Sequence, residues 1–224
     1  MSSIVLCSRL RFLVLFLTGY RKSSGLEDLA GVTLSHVSHL LSVLILHELT
    51  LAVYHRQCQP RRSRLAIVAS SLHIISPAGM FLSAPYAESS FSFLNFVGFY
   101  CYAKTLEGHS NVGGIREGIL IASSGIAFGV ATTFRGNGLF SGLILVYDAI
   151  TCVIMILRYR DVKSNVRRLF VTCISGSLMA CIAVVPQYLA YDEYCSGWNA
   201  NEKARPWCSG WFPSIYGWVQ KEYW

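Results

Sequence analysis

Six apolar stretches, each close to the length that crosses a bilayer, leave few folds open to this chain. They are roughly Leu29–Val53, Leu65–Leu82, Ser90–Ala103, Gly118–Phe134, Leu139–Leu157 and Leu169–Ala190. A spanning helix needs about 20 largely apolar residues, because hydrocarbon cannot satisfy an open backbone. The third stretch is short, and the second carries Pro77 near its end. A seventh, Ile4–Gly19, contains Arg9 and Arg11, each costing about 2.5–3.5 kcal/mol at a helix centre. It reads as a marginal span, and it lacks the basic start and small-residue cleavage site of a secretory signal. Composition agrees: 53% of residues are hydrophobic and only 14% charged, against about a quarter in soluble domains. That excludes a disordered chain and a small disulfide-stapled secreted domain. The expected fold is an all-α polytopic transmembrane bundle of about six to seven spans. A marginal hydrophobic segment and lumenal loop fill residues 1–28, the bundle 29–190 and a lumenal tail 191–224.

The net charge of +7 could suggest nucleic acid, but its distribution follows the spans. The loops His55–Arg64, Lys104–Glu117 and Arg158–Arg168 fall on one face and carry eleven basic and three acidic residues, a net +8. The opposite face collects Tyr20–Asp28, Ser83–Ser89, Arg135–Gly138 and the tail, with six basic and seven acidic residues, a net −1. The positive-inside rule makes the first face cytosolic. The charge is topology, and no nucleic-acid partner is expected.

Cys7, Cys101, Cys152, Cys173 and Cys181 lie in apolar stretches, where free cysteine behaves as a small hydrophobe. Cys195 and Cys208 sit together in the non-cytosolic tail and form the one plausible disulfide if that compartment is oxidising. His36 and His39 could share a helix face, but no third ligand is in view, so no metal is expected. All five tryptophans fall in the tail. They read either as an interfacial belt or as an aromatic platform for a glycolipid, with Trp207 among its members.

The non-cytosolic loops hold the candidate chemistry. The segment Ser76–Ser89 breaks a helix twice with proline and then presents Pro85, Tyr86 and Glu88; as a structural turn it needs no acid. Arg135-Gly136-Asn137-Gly138 places a guanidinium beside a glycine turn. A turn alone explains the glycines, whereas Arg135 and Asn137 suit a phosphate. Asp148 lies mid-span, where an ion is costly; it is functional, neutral, or paired with a hydroxyl on a neighbouring helix.

Several strings, in order, carry a resemblance: SPAGMFLSAPYAESSFSFLNFVG (Ser76–Gly98), ATTFRGNGLFSG (Ala131–Gly142), PQYLAYDEYC (Pro186–Cys195), RPWC (Arg205–Cys208) and PSIYGWVQKEYW (Pro213–Trp224). From about Gly31 onward the sequence resembles the PIG-V family of GPI mannosyltransferases, multispan glycosyltransferases of the endoplasmic reticulum membrane. The resemblance implies transfer of the second mannose (α-1,6) from dolichyl phosphate mannose to a GPI intermediate on the lumenal side. It implies a lipid-linked donor and a glycolipid acceptor among membrane lipid, no cofactor, and leaves open a small membrane subunit. Family members are longer, so the resemblance also implies a partial chain. Their first lumenal loop carries a Trp-Asp motif whose aspartate serves as base; the segment before Gly31 contains none. Within this chain the candidates for that role are Glu88 and Asp192. Two other classes stay open: a membrane transporter or channel with Asp148 and Arg135 along a polar path, and a non-catalytic membrane fragment.

Overall fold

The computed structural model describes residues 24–76, 87–107, 115–159, 162–192, 195, 207–208, 217–218 and 221–222. The Ile4–Gly19 segment, Pro85 and Tyr86 lie outside the described residues. Among the described residues the main α-helices are, in order, α1 (Ser24–Val53), α2 (Gln59–Ile74), α3 (Glu88–Glu107), α4 (Ile115–Phe134), α5 (Leu143–Tyr159) and α6 (Val162–Tyr191). A 3-10 segment, Gly136–Gly142, leads from α4 into α5. No strand occurs among the described residues. The main contacts run as a row: α2 on α1, α1 on α3, α3 on α4, α4 on α6 and α6 on α5.

Four helical segments are long and apolar enough to cross a membrane: Leu29–Val53, Ile115–Phe134, Gly136–Arg158 and Val162–Leu189. The chain is a multi-pass membrane protein. Two of the six expected spans do not meet that measure among the described residues, and residues 77–82 of the second lie outside them. Helix α2 has 16 residues and opens on Arg61, Arg62 and Arg64; at 1.5 Å per residue it is about 24 Å long. Helix α3 has the length but carries Ser89, Ser90, Asn95 and Lys104. Its position accounts for them. Flanked by α1 and α4, it exposes no residue between Glu88 and Thr105, and a helix shielded from lipid need not be apolar all round. Three of these four polar side chains find partners in the protein, whereas the buried Asn95 Oδ1 has none. Ser89 bonds Ser35 at 3.1 Å, Ser90 bonds Ser38 at 3.3 Å, and Lys104 meets Glu107 at 2.7 Å.

Tight turns and small residues fix the rest. Pro60 sits in the first turn of α2 after the Cys58 N-cap, where its missing N–H costs nothing. Arg62 Nε donates to the Leu51 carbonyl (2.7 Å), serving an otherwise open acceptor in the last turn of α1. Tyr102, Ile121, Phe128, Leu145 and Met179 form the core. Gly125 lets α4 approach α6 so closely that a Cβ there would come within 2.6 Å of the Ser175 carbonyl oxygen.

Candidate functional site

Three contacts define the ends of the bundle. Ser35 near the start of α1 bonds Ser89 at the start of α3. Glu88, also at the start of α3, pairs with Arg135 at the end of α4. At the far end, Glu117 in the first turn of α4 meets Arg168 in α6 at 2.7 Å. Glu88 and Arg135, assigned by charge to one face, therefore lie at one end, and Glu117 and Arg168, assigned to the other, at the opposite end.

The Glu88–Arg135 pair brings together two residues singled out in the sequence. Arg135 follows α4 in extended backbone and caps the 3-10 segment. Its carbonyl accepts the Gly138 N–H at 2.9 Å, and its own N–H donates to the Ala131 carbonyl at 3.1 Å. Gly138 packs against α4 so tightly that a Cβ would lie 2.9 Å from the Thr132 nitrogen, so this glycine is required for close approach. The expected glycine turn is thus a short 3-10 helix with Arg135 at its N-cap. Arg135 and Glu88 remain 49% and 37% exposed. An ion pair in that setting is worth only about 0–1 kcal/mol, so an incoming anion can take the guanidinium at little cost. Asn137 is exposed two residues on, and Asp192 is exposed at the end of α6.

In the tail, Cys195 and Cys208 are joined by a disulfide, with Cα atoms 5.7 Å apart. Trp207, beside Cys208, is 7% exposed. Most of its surface is therefore covered by protein. His39 meets His73 of α2 in a tilted contact with ring centroids 5.2 Å apart, and His73 Nε2 lies 3.0 Å from Ser42 Oγ.

A second polar cluster was not foreseen as a unit. Asp148 is buried and bound by three side chains from α3 and α6. Tyr102 Oη donates to its Oδ1 (3.0 Å), Thr172 Oγ1 to its Oδ2 (3.0 Å), and Arg168 Nη2 to Oδ1 (2.8 Å). Arg168 Nη1 also donates to Glu117 Oε1 at 2.7 Å. The hydroxyl partners of Asp148 were among the alternatives read from sequence; the arginine was not. Arg168 had been counted as a loop cation, but it points inward from α6. Glu117 leaves the exposed tally with it, so the charge excess on that face is unchanged. The available signal was spacing: Arg168 and Thr172 lie four apart, hence on one face, while Arg167 points outward and is exposed. Asp148 and Arg135 lie in separate clusters, so they do not line one path.

A sequence profile described as "Mannosyltransferase (PIG-V)" matches residues 20–224. The chain is 41% identical over 198 residues to GPI mannosyltransferase 2 of Gibberella zeae, covering 88% of this chain and 44% of that protein. It is 36% identical over 207 residues to GPI mannosyltransferase 2 of Aspergillus oryzae, covering 92% and 46%. It is 31% identical over 205 residues to GPI alpha-1,6-mannosyltransferase 2 of Mus musculus, covering 83% and 38%. No solved structure matches the chain. The chain spans less than half the length of these curated relatives. With a profile match over nearly its whole length, the chain belongs to the PIG-V mannosyltransferase family.

Proposed function

We propose that this chain is part of an endoplasmic reticulum enzyme that transfers the second mannose, in α-1,6 linkage, from dolichyl phosphate mannose to a GPI intermediate. The observation that carries the reading is family membership, since the matched relatives are named GPI mannosyltransferase 2 and, in the mouse, GPI alpha-1,6-mannosyltransferase 2. The charge distribution supports a lumenal position for the end that holds Glu88 and Arg135.

In the proposed reaction a hydroxyl oxygen of the acceptor mannose bonds to the anomeric carbon of the donor sugar. The bond from that carbon to the phosphate oxygen breaks, the proton passes to a base, and dolichyl phosphate departs as an anion. Arg135 is the group we assign to the departing phosphate. A guanidinium forms two parallel bonds to phosphate oxygens, and stabilising charge that develops at the leaving group speeds the step. Glu88 holds that guanidinium until phosphate arrives. Glu88 and Asp192 are the acids within this chain that we put forward as bases. No metal and no cofactor has a part in the proposal.

The test is complementation of cells lacking the second-mannose step by a full-length protein carrying this segment. Arg135→Ala should lower turnover roughly 30- to 1,000-fold, the range for removing one charge-stabilising donor. Arg167→Ala, exposed on α6 at the opposite end, should leave turnover within about twofold of the parent. Equal activity of the two variants would refute the assignment of Arg135.

A further inference from the structure

Helix α1 carries Ser35, Ser38 and Ser42 at spacings of three and four, so the three hydroxyls share one face of a membrane-crossing helix. All three residues are buried. Hydrocarbon offers a hydroxyl no partner. Thr33 and Thr50 on the same helix meet that demand locally, donating to the carbonyls of Leu29 and Leu46 four residues back, at 2.7 and 2.8 Å. Ser35 and Ser38 reach across to another helix. They meet Ser89 and Ser90 of α3 at 3.1 and 3.3 Å, and these two are buried as well.

The placement of the two bonds gives them a role. Ser35 and Ser38 stand about 4.5 Å apart along α1, whereas Ser89 and Ser90 are successive and so about 100° apart around α3. One bond alone would let α3 turn about it. Two bonds, from separate heights to separate sides, fix both the depth and the rotation of the first turn of α3.

Glu88 opens that turn and pairs with Arg135. The arginine's end of the pair is fixed by its own segment, through the Gly138 N–H, the Ala131 carbonyl and the close approach of Gly138 to Thr132. Whether the carboxylate faces the guanidinium therefore depends on where α3 begins. We propose that Ser35 and Ser38 are positioning residues, a clamp that holds Glu88 against Arg135; their effect on turnover rests on the donor reading above. Ser42 lies one turn further along α1 and meets His73 of α2, so it stands outside the clamp and serves as its control.

The experiment is cross-linking of Glu88→Cys with Arg135→Cys in a full-length protein carrying this segment, with the linked pair read by peptide mapping. A short bifunctional thiol reagent spans the gap that the longer native side chains leave, which a bare disulfide would not close. Adding Ser35→Ala and Ser38→Ala should slow the link roughly 3- to 20-fold, the range for losing an interhelical hydroxyl bond in a membrane. Adding Ser42→Ala should leave the rate unchanged. An unchanged rate with both clamp serines removed, or equal slowing by Ser42→Ala, would overturn the clamp. Turnover with Glu88 and Arg135 restored supplies a second readout. Ser35→Ala with Ser38→Ala should lower it by a similar factor, and should cost nothing further where Arg135→Ala is already present. Losses that multiply would mean a general weakening of the fold and would refute action through the pair. Full turnover of Arg135→Ala, with the link still slowed by the serine changes, would refute the donor reading and support the clamp.

Discussion

Replacing Arg168 with methionine tests the buried cluster most directly. The cluster holds two carboxylates and one guanidinium, with side chains only 8–15% exposed. Arg168→Met leaves Asp148 and Glu117 buried without their cation, and breaking a buried pair by removing one partner costs about 3–5 kcal/mol. Asp148→Asn is a milder change, because Arg168 keeps Glu117 at 2.7 Å and the site becomes neutral. It loses charge-assisted bonds worth about 1.5–3 kcal/mol. The double variant Asp148→Asn with Arg168→Met removes one of the stranded carboxylates and should be more stable than Arg168→Met alone. Thermal unfolding in detergent, followed by size-exclusion of the surviving fraction, reads the order. At 2–4 °C per kcal/mol for a chain of this size, Arg168→Met should lower the midpoint by roughly 6–20 °C. A double variant no more stable than Arg168→Met would refute the reasoning, since stranded negative charge would then not be the cost.

Topology can be read by thiol labelling in sealed microsomes, with Cys58→Ser as background. Ser63→Cys should react from the cytosolic side and Ser209→Cys should be protected; equal protection of both would contradict the charge argument. The tail disulfide closes a short loop, so Cys208→Ser should cost about 2–4 kcal/mol. Peptide mapping under non-reducing conditions should recover Cys195 linked to Cys208, and two freely alkylated thiols would contradict it.

The sequence made the lipid-facing helices legible because hydropathy reports what faces lipid. Leu29–Val53 and the three apolar runs after Gly118 therefore emerged as membrane-crossing helices. Helix α3 read as a short span because its apolar character is diluted by Ser89, Ser90 and Asn95, and hydropathy carries no information about a helix enclosed by its neighbours. The same blindness hid Arg168. A cation next to an apolar run looks like the end of a span, and only the register of α6 against α5 turns it towards Asp148. Glu88 and Arg135 were each singled out, because helix breakers place them beside span ends. Their pairing joins residues 47 apart in sequence and depends on the packing of α3 on α4. The burial of Trp207 was not legible either, since composition finds aromatic residues in a tail without showing which of them are covered.

The two ion clusters differ in a way that suits different work. Asp148, Glu117 and Arg168 are buried, and each guanidinium nitrogen of Arg168 donates to one of the two carboxylates, so any rearrangement strands a charge at a cost of several kcal/mol. That cluster fixes α4, α5 and α6 relative to one another and takes in α3 through Tyr102. Glu88 and Arg135 are half-exposed and weakly coupled, so their exchange for a ligand is nearly free. The proposed transfer, in which a charged lipid is admitted and released, calls for a rigid frame with exchangeable charge beside it. Because the 3-10 segment joins Arg135 directly to α5, the buried cluster also sets where that exchangeable charge stands.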